Sequence, residues 1–150
     1  MTPTREEVYA ALFDKVTALS PGGGHKFAVV SRNLRHWSEV PIEDHPALFQ
    51  TQDSETVTNT RGLPPKRVLH VTLYVYVHTE AQHDRDSVPS MLLNPLLDAI
   101  DDALAPDNED GTCTLDGLVS HCWIEGTIET SEGTLGNQEV AIVPVHILIP

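Results

Sequence analysis

Lys66-Arg-Val-Leu-His-Val-Thr-Leu-Tyr-Val-Tyr-Val-His-Thr79 decides the fold class. Leu69, Val71, Leu73, Val75 and Val77 alternate with His70, Thr72, Tyr74, Tyr76 and His78. Side chains two apart share one face of a strand, so the first set predicts a core face and the second an amphipathic one. A strand of this length suits a long antiparallel hairpin better than a short parallel strand.

Upstream, Asn59-Thr-Arg-Gly-Leu-Pro-Pro65 reads as a loop and Leu48–Val57 as another strand. Before it, Pro41 and Pro46 bracket an acidic turn, with a single helical turn near Glu43. Phe27–Ser31 is a short strand that runs into Arg32-Asn-Leu-Arg-His-Trp37. In that segment Leu34 and Trp37 are expected to pack, and Arg32, Arg35 and His36 to face solvent or a partner. The chain opens with a helix: Thr4 and Glu7 form a capping box, and Val8, Tyr9, Leu12, Phe13, Val16 and Leu19 make its apolar stripe. Ser20-Pro-Gly-Gly-Gly24 ends it.

Downstream, Glu80–Asp86 is a polar loop, and Ser87 reads as the N-cap of a second helix with Pro89 in its first turn. That helix runs to about Leu104, and Pro95 predicts either a kink or a start at Asn94. Asp98, Asp101 and Asp102 mark its wet face. Leu118–Thr130 and Val140–Ile149 are the closing strands, and Pro144 makes the last one an edge or gives it a bulge. The order α–β–β–β–α–β–β predicts one α+β domain over 1–150, a mostly antiparallel sheet with two helices on one face.

Composition sets limits on function. With 40% hydrophobic and 21% charged residues, the 150-residue chain has the makings of one folded domain. There is no apolar run long enough to span a bilayer. Met1–Leu12 lacks the basic start and apolar core of a secretory leader, so Cys113 and Cys122 are expected to be reduced, free and inert. The net charge of −13 is unevenly spread: residues 1–80 carry eight basic and nine acidic residues, whereas 81–150 carry Arg85 alone against 13 acids. Such a half cannot supply the cationic footprint that neutralises phosphates, which argues against nucleic-acid binding.

Catalytic signatures are missing. Pro21-Gly-Gly-Gly-His-Lys26 does not meet the phosphate-loop pattern, and no strand leads into it. His121 and Cys122 are adjacent and point to opposite faces of a strand, and no metal-binding spacing of Cys or His occurs. No serine sits in a nucleophile elbow. The expectation is a protein with no catalytic residues, no metal and no cofactor. Trp37, beside Arg32 and Arg35, either anchors an interface or covers the sheet edge.

Several phrases together resemble one family. Phe27–Pro41, Pro46-Ala-Leu-Phe49, Gly62–Lys66, Leu73–Thr79, Asn94–Ile100 and Ile124–Thr130 through Ile147–Pro150 are similar to the small tail-completion proteins of tailed bacteriophages and prophages, most of all the tail terminators. The resemblance implies an α+β subunit that forms a homohexameric ring on the tail tube and stops tube polymerisation. It also implies joining to the head connector or neck protein, and a lumen through which genomic DNA slides without specific binding. The location implied is the head-proximal end of the virion tail, reached by assembly in the host cytoplasm, with no membrane partner. On this reading some of Asp98, Asp101, Asp102, Asp107, Glu109 and Asp110 face the bore, where carboxylates repel phosphate. Arg32, Arg35 and Trp37 are the expected subunit or partner contact. The loops Gly22–Lys26, Val57–Lys66, Glu80–Asp86 and Ala105–Thr114 would order on contact with tube or connector. Another neck or head–tail joining protein is the nearest alternative. A small acidic enzyme or ligand-binding module is the more distant one, and it would need a closed pocket with convergent polar groups.

Overall fold

The computed structural model describes residues 2–18, 27–82, 88–132 and 135–150. Its elements are α1 (Arg5–Thr17), β1 (Val29–Ser31), β2 (Ala47–Thr58), β3 (Lys66–His78), α2 (Pro89–Ala103), β4 (His121–Ile124), β5 (Glu129–Thr130) and β6 (Gln138–Leu148). The strands lie in the order β1-β2-β3-β6-β4, with β5 pairing further along β6. Among the described strands only β1 and β2 pair in parallel. The fold is α+β, with the mostly antiparallel sheet that the order of elements predicts.

Strands β2 and β3 form the long hairpin, paired from Ala47↔Tyr76 to Thr58↔Lys66 with a one-residue bulge between Gln52 and Ser54. The core face of β3 meets that of β6 through pairs such as Leu73↔Val143 and Leu69↔Ile147. Both helices cover this face: Val8, Leu12 and Val16 of α1 and Leu93, Leu96 and Ile100 of α2 join one buried cluster with it. A smaller cluster of Val40, Ala47, Phe49 and Tyr76 lies on the opposite face, and half-buried Trp37 packs against it. There the segment 32–46, with 3-10 turns at Trp37–Glu39 and Ile42–Asp44, covers the sheet.

Helix α1 begins as the capping box requires. The Glu7 N–H donates to Thr4 Oγ1 at 3.2 Å, and the Thr4 N–H donates to the Glu7 carboxylate at 2.7 Å. The expected end of its stripe at Leu19 and the stop at Ser20–Gly24 lie outside the described residues.

Four expectations need correction. The N-cap of α2 is Val88, not Ser87, and Pro89 takes the first helical position, where a missing N–H costs nothing. The helix does not start at Asn94 but continues through Pro95, because Pro89, Leu93, Leu96 and Ile100 hold the turns on both sides of it to the core. Leu34 does not pack and is 42% exposed. Finally, β6 is no edge strand. It lies between β3 and β4, and the irregularity that Pro144 demands falls in its neighbour.

The reason is geometric. The Pro144 carbonyl accepts from the Glu125 N–H at 3.3 Å, so its donor side also points toward β4 and β5. Opposite it the neighbour bulges: Ile124 pairs with Val145 but Glu129 pairs with Ile142. The closing stretch expected at Leu118–Thr130 is thereby split in two. Gly126 lies in the bulge at φ +114°, and a Cβ there would come 3.2 Å from Pro144.

Candidate functional site

The basic segment is tied into its own subunit. Arg32 donates to both carboxylate oxygens of Glu6, at 2.6 and 3.1 Å. Arg35 lies 3.7 Å from Asp44 and sits over the Phe49 ring, 5.5 Å from its centroid. Its carbonyl accepts the Tyr76 hydroxyl at 2.7 Å, and burial pushes the Tyr76 phenol up to about 12. Trp37 adjoins the His36 ring at 5.1 Å. Fold and pairing thus place Arg35 and Trp37 on one side of the sheet, over Phe49 and Tyr76, whereas Arg32, just past the end of β1, is drawn to Glu6 of α1 on the other side.

The acidic residues divide into two groups. A groove of about 1020 Å³ runs between α1, α2 and the connection that follows α2. Its apolar surface comes from Ala11, Pro95, Ala99, Ala103 and Leu115. Around it stand Asp98, Asp102 and Asp107 with Asp14 and Asp116, two acids that sequence reading did not select, and one cation, Lys15. Asp101, Glu109 and Asp110 are exposed outside the groove. Partial desolvation, with Asp98 and Asp102 nearby, holds the Asp101 carboxyl above its ordinary range.

Asp107 also builds the loop it sits on. Its carboxylate accepts the Thr114 N–H at 2.9 Å and the Thr114 hydroxyl at 2.9 Å, and the Asp116 N–H at 3.3 Å. Those donors hold its pKa below the usual carboxylate range. Asn108 Oδ1 accepts the N–H groups of Asp110 and Thr112. Of the loops expected to order on contact, Ala105–Thr114 is therefore already cross-tied within the subunit. Gly22–Lys26 and residues 83–87 lie outside the described residues.

A third feature escaped sequence reading. On the open face of the sheet the His70 and His146 rings lie 4.4 Å apart, and Trp123 stacks on His121 at 4.8 Å. Glu125 accepts the indole N–H of Trp123 at 3.2 Å and lies 3.2 Å from His146 Nδ1. The signal was the even-numbered side of two strands, but only the register His70↔His146 brings them together. Cys113 and Cys122 are free and buried, and burial pushes both thiols up. Among the described residues no three metal-ligating side chains converge, and no helix is long and apolar enough to cross a membrane.

No protein-family model matches the chain, and no curated protein matches it. Among solved structures, a chain of one titled "Virion of native gene transfer agent (GTA) particle" is similar over 93% of this chain and 92% of its own. The TM-score is 0.51 at 12% sequence identity. The likeness is one of fold, from end to end.

Proposed function

We propose that this chain is a structural subunit of a phage-like virion, and within it a tail terminator. The observation that carries the reading is the end-to-end fold likeness to a chain of a gene transfer agent virion, 93% of one chain against 92% of the other. The phrases that resemble tail terminators point the same way and narrow the role. In this role the protein is no enzyme: six copies close into a ring on the tail tube, end its growth and present a surface to the head connector. Some of Asp98, Asp101, Asp102, Asp107, Glu109 and Asp110 line the bore, so that DNA slides without sticking. Arg32, Arg35 and Trp37 lie near the contact with a neighbour or partner.

The test is the mass of the purified protein in solution across a concentration series at low and physiological salt. A species near six times 16.5 kDa supports the ring. A stable dimer overturns it. A monomer moves the question to tail tubes, where binding at one tube end with arrest of growth is the expected result. Binding to a connector but never to tubes would make the chain a neck protein instead.

A further inference from the structure

The far end of the β2–β3 hairpin differs from the rest of the molecule in charge and in exposure. From Thr56 to Thr79 there is no acidic residue. Every residue from 58 to 66 is exposed, and Leu63, at 66%, is the most open large hydrophobic side chain among the described residues. Arg61 and Lys66 flank it. Among the described residues neither makes an ion pair, whereas Arg5, Arg32, Arg35 and Arg67 all do. The tip is also stiff: the Leu63 N–H closes a turn on the Thr60 carbonyl at 3.0 Å, and Pro64 and Pro65 follow. A stiff tip loses little conformational freedom when it docks.

The groove between α1 and α2 has the opposite character, an apolar surface of alanine, proline and leucine among five aspartates. A chain cannot fill its own groove with its own tip. Arg5, at the start of α1, pairs with Glu55 near the outer end of β2, while the groove begins at Ala11 and continues past Ala18. At 1.5 Å per helical residue the groove lies roughly 10–20 Å from Arg5 along α1, and since Tyr9 lies against Gln50 while Arg5 lies against Glu55, that direction leads away from the tip.

We propose that the hairpin tip of one copy seats in the α1–α2 groove of the next, Leu63 and Pro64 on the apolar surface and Arg61 and Lys66 against the aspartates. The contact joins two different surfaces, so it repeats head to tail and closes into a ring when the rotation allows. It rests on the reading of the chain as a self-assembling subunit. It also divides the acids: Asp98, Asp102 and Asp107 serve the contact, and Asp101, Glu109 and Asp110 are left for the bore.

The test uses full-length Leu63→Cys and Ala99→Cys variants, mixed in equal amounts under mild oxidation, with mass in solution read alongside. The two native thiols are buried and stay silent. The expected result is a disulfide between the two variants that neither forms alone. Arg61→Glu with Lys66→Glu on the Leu63→Cys chain should lower its yield about tenfold, and Asp98→Lys with Asp102→Lys on the Ala99→Cys chain should restore it. An oligomer that forms no such disulfide overturns the hairpin contact and leaves the ring standing. So does a disulfide indifferent to charge reversal. Disulfide-linked pairs found in assemblies whose mass keeps growing without closing keep the contact and sink the ring. A monomer without the disulfide at the highest soluble concentration overturns the contact, and tail tubes then decide the ring separately.

Discussion

On the helix side of the sheet, Leu69, Val71 and Leu73 of β3 meet Ile147, Val145 and Val143 of β6, all at most 1% exposed. One residue along the same strands, His70, Thr72 and Tyr74 meet His146, Pro144 and Ile142, all half-buried. The two faces share one backbone and one register, yet only the first is sealed by helices. The difference separates two jobs. The sealed face holds the fold and tolerates little, whereas the open face, with its histidines and Trp123, can change without unfolding the chain.

The largest effect should come from breaking the sealed face. Leu73→Ala removes a side chain with no exposure from the middle of the sheet and should cost about 2–5 kcal/mol in urea unfolding. Ile142→Ala, on the open face, should cost about 1 kcal/mol, because part of its surface already meets water. Equal losses would mean that the open face is as tightly built as the core.

The alternation in Lys66–Thr79 was enough to identify the sealed face, since burial follows period two wherever one side is covered. The capping box and the hairpin were legible for the same kind of local reason. What stayed hidden depends on which strands become neighbours. Nothing near Pro144 says that the bulge it needs will be built by residues around Gly126. Likewise His70 and His146 are 76 positions apart and meet only through the β3–β6 register. The groove acids Asp14 and Asp116 were missed because only the packing of α1 and of the connection after α2 against α2 brings them to one groove. Arg32 and Arg35 looked available to a neighbour, yet Glu6 and Asp44 of the same chain already pair with them.

A second test probes the one carboxylate that, among the described residues, is buried on the sealed face. Glu139 is 1% exposed, and its Oε1 accepts the Ser90 hydroxyl at 2.9 Å, at the start of α2. Ser90→Ala removes that donor and should cost about 2 kcal/mol, since a buried acceptor loses its partner. Ser90→Thr keeps the hydroxyl and should recover most of the loss. A smaller effect is expected at the start of α1. Thr4→Ala leaves the Glu7 N–H without its cap and should cost about 1 kcal/mol in the same assay.

The margin of the sealed face offers the smallest effect and the clearest pH signature. Glu55 pairs with Leu69, on the helix side of the hairpin. Arg5 donates to both its oxygens at 2.7 and 2.9 Å, and Arg67 donates to Oε2 at 2.8 Å. The Arg5 hydrogen bond, reinforced by Arg67, holds its carboxyl at about 2 against an ordinary value of 4.5. A carboxyl depressed in the folded state stabilises that state above its unfolded pKa and loses the contribution as it protonates. The stabilisation should therefore be full above about 4.5 and vanish as pH falls through about 2. All three side chains are partly open to solvent, so screening keeps the contribution to about 1 kcal/mol or less. Glu55→Gln should thus be less stable than the parent at neutral pH, and the gap should close toward pH 2 and narrow in high salt. A gap that stays constant with pH would assign the loss to packing of the side chain rather than to its charge. The hairpin would then be fastened to α1 by shape, as the rest of the sealed face is.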